Sequence, residues 1–410
     1  MSEGVKVQSG STVTLGFVDG DLAVGRDVTI KGEGVPPKVN VSGTIRCSGD
    51  CTFECNVAAE NFEGEHGDVV VHGNLEVKGD VEVQRGRLNV EGKLSAKNVD
   101  VDRSLVVGRD LEAEDVDVGG SLEVRGNTKV ETIDVGGSFR GIGEVKAEEI
   151  DVGGSVTIES KVEVEKIDVG GTVALRGGHA GRIDVGGSFD SKDSLEFGSI
   201  DVGGVVRLAG KNNGGDIDVG GSCRVDGDLK FGNIDVGGVI DISGSAEGES
   251  IDVGGKVYVG ASMRLLGELD VGGRVEVKGV LTAQTIDVGG SLKASEITAK
   301  DAVSVGGSIE TVTGVSASYV EIGRRGKVIG PLRADEVLIG ERAHVEDVYA
   351  DEITMEEKAQ ARSLYGQRIR IESGCHIQGE VCFTESLESE SGVFYAKPPV
   401  RVDKLPQQPS

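Results

Sequence analysis

The sequence predicts an all-β fold: a single-stranded triangular parallel β-helix, or β-solenoid, with about 17 residues per coil. Three observations carry this. A five-residue motif recurs at a near-constant period, the apolar residues within each period fall into pairs, and the composition does not suit a compact globule. The motif is Ile/Val/Leu-Asp-Val-Gly-Gly. Its aspartate stands at Asp117, Asp134, Asp151, Asp168, Asp184, Asp201, Asp218, Asp235, Asp252, Asp270 and Asp287, at spacings of 17, 17, 17, 16, 17, 17, 17, 17, 18 and 17. The register continues in weaker form through Ser304, Glu321, Leu338, Thr354 and Arg370. Upstream, Val99-Asp100-Val101 falls one period before Asp117.

One period shows the geometry. From Ile150 the apolar residues are Ile150, Val152, Val156, Ile158, Val162 and Val164, and Ile167 opens the next unit. Each gap of two is a short strand with one face turned inward. Each wider gap is a corner, the first marked by Gly153-Gly154. Glycine suits such a corner for two reasons: it accepts positive φ cheaply, and two glycines let coils stack without side-chain collisions. A helix would be penalised by Gly-Gly in every period, and the β-branched enrichment favours strand. One coil buries too few side chains to offset the entropy of ordering it, so coils must stack and share a core.

Composition agrees. The 410 residues include 66 glycines, no tryptophan and only 3% aromatics, which points to a core thinner than a globular one. Collagen is excluded because glycine is not at every third position. Disorder is excluded by the recurring Val and Ile among 37% hydrophobic residues. Proline, which cannot donate to a central ladder, is confined to Pro36-Pro37, Pro331 and the last thirteen residues, with Pro398, Pro399, Pro406 and Pro409. Residues 1–98 read as irregular N-terminal coils, 99–303 as the regular array and 304–386 as degenerate coils. Residues 387–410 read as a C-terminal cap or proline-rich tail, in which VFYAKPPVRVDKLPQQPS leaves the ladder.

The net charge is −27. With no basic stripe, a nucleic-acid partner is not expected, and neither is charge attraction to an anionic membrane. The first residues, MSEGVKVQSGST, lack a signal-peptide pattern, and no apolar run is long enough to span a bilayer. The expected location is the cytoplasm.

The aspartates are the leading candidate site. In Ile-Asp-Val the flanking residues point inward and the aspartate outward, so stacking would set carboxylates in a row about 4.8 Å apart. Neighbours would repel by about 0.9 kcal/mol in the dielectric of water. Nearby Lys or Arg, hydrogen bonds to the following corner, or bound cations would offset this. The repeat is not the calcium-binding nonapeptide type. Cys47, Cys51 and Cys55 share one strand face, but each would lie about 13 Å from the next on a straight strand, too far for one metal unless the chain bends, and they read as small buried apolar residues. Cys223, Cys375 and Cys382 form no pattern. His66, His72, His179, His344 and His376 are scattered, with no catalytic grouping. No nucleotide motif occurs, so no cofactor and no enzymatic activity are expected. A polysaccharide-acting β-helix would need a groove lined by carboxylates and aromatics.

The stretch VEIGRRGKVIGPLRADEVLIGERAHVEDVYADEI, followed by RIRIESGCHIQGEV and the proline-rich end, resembles the bactofilins, the polymer-forming cytoskeletal proteins. The resemblance is strongest over residues 310–405. It implies a right-handed triangular β-helix that polymerises end to end without nucleotide and serves as a scaffold. Solenoid ends carry unpaired strand edges on which a second copy could continue the ladder. The expected function is therefore structural: a cytoplasmic, self-associating building block. The alternative is a monomeric or dimeric acidic rod that binds cations or a protein partner along its aspartates.

Overall fold

The computed structural model describes residues 4–406. Among the described residues the regular elements are β-strands, with no helix, and the strands pair in parallel. The chain forms two compact units, Met1–Gly204 and Val205–Ser410. Each is a β-solenoid whose coil has three sides.

In the first unit the sides are clearest in the regular coils. Side one stacks Val116, Ile133, Ile150, Ile167, Ile183 and Ile200 in register. Side two stacks Leu122, Phe139, Val156, Val173 and Phe189. Side three stacks Leu111, Thr128, Val145, Val162, Gly178 and Leu195. Every apolar residue assigned inward in the Ile150 coil, from Ile150 through Val164, is at most 3% exposed. The core is thus a stack of like residues, each layer shielding the next from water.

Coil length varies near the start of the first unit. Leu22 stacks on Val5 but Ile45 on Leu22, so one coil takes 23 residues. The excess bulges outward between Glu33 and Lys38, which form an isolated antiparallel bridge around Pro36-Pro37. Val35 at its tip is fully exposed. Prolines are tolerated there because no ladder N–H is required of them; Pro37 serves as an acceptor only, from the Asn56 N–H at 3.0 Å.

In the second unit side one stacks Ile217, Ile234, Ile251, Leu269, Ile286, Val303, Val320, Val337, Ile353 and Ile369. The loss of the full Asp-Val-Gly-Gly motif after residue 303, where Ser304 replaces the aspartate, leaves the register intact: Asp287, Ser304, Glu321, Leu338, Thr354 and Arg370 are successive partners. Here the strands run through the corners, as in Ser291–Val305 and His344–Met355.

Two expectations are corrected. The first concerns the glycine corners. The motif glycines do not adopt positive φ; the left-handed glycines are others, such as Gly177, Gly178 and Gly227. The reason for glycine is steric. A Cβ on Gly137, Gly154, Gly171, Gly187 or Gly204 would lie 2.2–2.4 Å from the carbonyl oxygen of the glycine one coil earlier. In the second unit the same distance is 2.1–2.3 Å at Gly238, Gly255, Gly273, Gly290 and Gly307.

The second correction concerns the C-terminus. Phe394–Tyr395 pairs with His376–Ile377, and Val400–Arg401 pairs with Cys382–Phe383, so this segment stays in the ladder. Pro398 and Pro399 fall between the two strands, at a corner, where no ladder N–H is required. Pro409 lies outside the described residues.

Two substitutions test this account by denaturant unfolding. Gly154→Ala forces a methyl against the Gly137 carbonyl and should cost about 1–3 kcal/mol, whereas Thr157→Ala on the exposed face should change stability by less than about 0.5 kcal/mol. Thr128 is 1% exposed, and its hydroxyl has no hydrogen-bond partner. Thr128→Val should therefore raise stability by about 1 kcal/mol.

Candidate functional site

The aspartates form the ladders that their spacing implies. In the first unit Asp100, Asp117, Asp134, Asp151, Asp168, Asp184 and Asp201 are successive in-register partners. In the second unit the row is Asp218, Asp235, Asp252, Asp270 and Asp287. Each sits between two inward residues of side one, just before the corner, and faces solvent. Asp168 and Asp184 are half-buried and the others exposed.

The carboxylates feel one another. Partial burial, and then Asp117, Asp102 and Glu82, raise the Asp100 carboxyl above its usual range. Asp252 is raised by partial burial and by Asp270 and Asp235 on either side. Relief is local. Arg182 lies 3.6 Å from Asp184. Lys166, bonded to Glu149 at 2.5 Å, is raised first by that glutamate and also by Asp168 and Asp151. Among the described residues, no group of three or more His, Cys, Asp or Glu side chains converges to hold a metal ion. Single file is the geometric reason: a ladder offers neighbours above and below, not a closed shell.

A different use of Asp and Asn was missed from the sequence. At several corners a side-chain oxygen accepts the backbone N–H of the same corner one coil later. Asn74 takes Lys93 N–H at 3.0 Å, Asp110 takes Asn127 at 2.9 Å and Asn127 takes Glu144 at 3.0 Å. Asp50 takes Asp68 at 2.7 Å, and Asp228 takes Ser245 at 2.9 Å. The side chain replaces a backbone acceptor where the chain bends out of the ladder. Gly-Asn and Gly-Asp dipeptides, as at Gly73-Asn74, Gly126-Asn127 and Gly227-Asp228, were the available signal.

The cysteines are all free and buried, as expected. Their assumed separation is corrected, because the chain bends at Ser48-Gly49-Asp50. Cys47 ends one strand and Cys51 begins the next, so the two flank one bend, and the Cys51 thiol donates to the Gly25 carbonyl at 3.5 Å. Burial pushes the Cys55 thiol up to about 11 and Cys223 up to about 12. The histidines stay apart. His66 meets Arg85 at 3.1 Å, His72 meets Glu91 at 2.9 Å and His376 stacks on Phe394 with centroids 4.2 Å apart. His179 lies 3.9 Å from Glu196, and His344 stands in the ladder beside Lys327 and Gln360.

Two aromatic side chains of the second unit stack on each other, one buried and one half-buried. Tyr349 and Tyr365 are ladder partners and stack at 4.8 Å, face to face, between the rungs of Arg333 and Cys382. With their faces against each other they offer edges, not a platform, to solvent. One open groove in the first unit, of about 550 Å³, is lined by alternating charges that include Lys97, Glu114, Lys129 and Glu131. No helix among the described residues is long and apolar enough to cross a membrane. No family model, curated protein or solved structure matches this chain.

The ladder electrostatics set a pH dependence. Because the folded chain raises the Asp252 carboxyl above its unfolded value, it holds that proton more tightly than the unfolded chain. The carboxylate thus lowers stability above the folded pKa and has no such effect below the unfolded one. Asp252→Asn should stabilise the fold at neutral pH by about 0.5 kcal/mol. The gain should shrink in high salt and disappear as the pH falls below the usual carboxylate range, measured by urea unfolding across pH.

Proposed function

We propose that this protein is a non-enzymatic structural element, a bactofilin-like cytoplasmic building block that assembles end to end into polymers without nucleotide. One observation carries the reading: within each unit, near-identical coils stack in parallel and in register, every strand bonding to its counterpart one coil away. Such a stack is self-complementary in a head-to-tail sense. The upper edge of one regular coil matches the lower edge of another, so the contact that builds the molecule can also join molecules.

The terminal coils support it. Among the described residues of the first unit, the strands Val5–Val7, Thr12–Leu15 and Phe17–Val18 pair with the strands of the following coil. Val5 is 38% exposed, although Leu22, stacked on it, is fully buried. In the second unit Val400 of the last coil is 52% exposed. Exposed apolar residues on the outermost described strands favour association by strand addition. The surplus of acid on the sides would discourage lateral clumping and leave the ends as the preferred contact.

Electron microscopy of the purified full chain, without nucleotide, tests the proposal. Filaments one solenoid wide, lengthening with protein concentration, are expected. Monodisperse particles at every concentration and salt would remove the polymer reading.

A further inference from the structure

Three of the six cysteines lie within nine residues of the first unit, and the scaffold role uses none of them. Cys47 is the last inward residue of side one, and Cys51 the first inward residue of side two. They flank the same corner as Val118 and Leu122, or Val152 and Val156, in the regular coils. Cys47 stacks between Val24 and Gly64, and Cys51 between Val28 and Val69.

The coil that follows calibrates the gap across this corner. A Cβ on Gly64 would lie 3.5 Å from Cγ2 of Val69, in ordinary van der Waals contact. Inward groups at these two positions therefore touch; one coil earlier the corner is one residue shorter, Cys47 to Cys51 against Gly64 to Val69, and the groups facing each other across it are two thiols. Gly64 also leaves a methyl-sized space next to Cys47, because an added Cβ there meets nothing closer than 3.5 Å. The Cys47 sulfur has room to turn towards its neighbour.

We propose that Cys47 and Cys51 form a modification site, oxidised by peroxide to an intramolecular disulfide that staples this corner. The Cys51 thiolate attacks one oxygen of hydrogen peroxide and the O–O bond breaks. Cys51 becomes a sulfenic acid, and the other oxygen leaves as water with the thiol's proton. The Cys47 sulfur then attacks the sulfenic sulfur, the S–O bond breaks and a second water leaves with the Cys47 proton. Two thiols thus give up two electrons and two protons, and one peroxide becomes two waters.

The roles follow from the surroundings. Cys51 is lowered from the usual thiol range chiefly by its hydrogen bond with Cys47, while Cys47 is raised well above it. Cys51, 2% exposed where Cys47 is fully buried, is the sulfur nearer the surface and so the attacking one, with Cys47 resolving. Cys55 lies beyond Phe53 at the far end of the strand, 4.0 Å from the Ile30 carbonyl, and takes no part. A disulfide in a protein kept reduced is a transient, redox-responsive one.

The test uses the full chain, treated with hydrogen peroxide, quenched, unfolded with iodoacetamide and digested for peptide mass spectrometry. The peptide bearing Cys47 and Cys51 should lose two hydrogens, and both residues should escape alkylation until dithiothreitol is added, while Cys55 is alkylated throughout. Cys55→Ala should form the same bridge. Cys47→Ser should lose it and leave Cys51 as a sulfenic acid trapped by dimedone; if that variant does not fold, mapping of the wild-type linkage decides. Full alkylation of Cys47 and Cys51 after the longest exposure at which the chain stays folded, or a bridge through Cys55, would overturn the proposal.

Discussion

The closeness with which one coil lies on the next is the constraint on which the remaining features depend. Parallel ladder bonding fixes neighbouring strands a little under 5 Å apart, and at the first corner that spacing puts the backbone carbonyl of one coil where the Cβ of the next would be. At Gly154 the distance to the Gly137 oxygen would be 2.3 Å. Only a residue without a side chain fits. The repeated Gly-Gly is therefore a record of stacking distance and not of unusual backbone torsion, which explains why it recurs once per coil and nowhere else with such regularity.

Close stacking has an electrostatic consequence. Whatever faces outward at a fixed point of the repeat is brought next to its own copies, so the aspartates before the glycine corner meet like charges above and below. The cost at each rung is small because the carboxylates remain in water. Elsewhere the same rule is turned to advantage. Outward positions carry Lys146 beside Glu163 and Lys230 beside Glu247, opposite charges on consecutive coils. Arg368 bonds both Glu352 one coil before and Glu385 one coil after. Each such pair is worth little alone, and its main effect is to favour one register over a slipped one.

The core obeys a related rule. Like stacks on like, so a polar residue on an inward position has no escape. Thr128 lies between the Leu111 and Val145 rungs with its hydroxyl unpartnered, whereas inward Ser191 bonds the carbonyl of Asp193 at 2.9 Å. Ser191 finds its backbone partner where the chain turns. The Asn and Asp side chains that take N–H groups from the following coil exploit this, and they explain why asparagine and aspartate follow glycine so often in this chain.

By itself the sequence determined the solenoid class, the coil length, the inward and outward assignment of each residue in the Ile150 unit, and the register through Ser304, Glu321, Leu338, Thr354 and Arg370. These are legible because strand alternation and coil period are local patterns that repeat many times. Tertiary structure alone decided what meets across a bend: the Cys47–Cys51 contact, the carbonyl beneath each motif glycine, the side chains that close the corners, and the seating of Pro398-Pro399 between two ladder strands. Spacing along a chain measures distance on a straight strand, but at a corner the angle of the bend sets which atoms touch. That angle is fixed only when one coil rests on another.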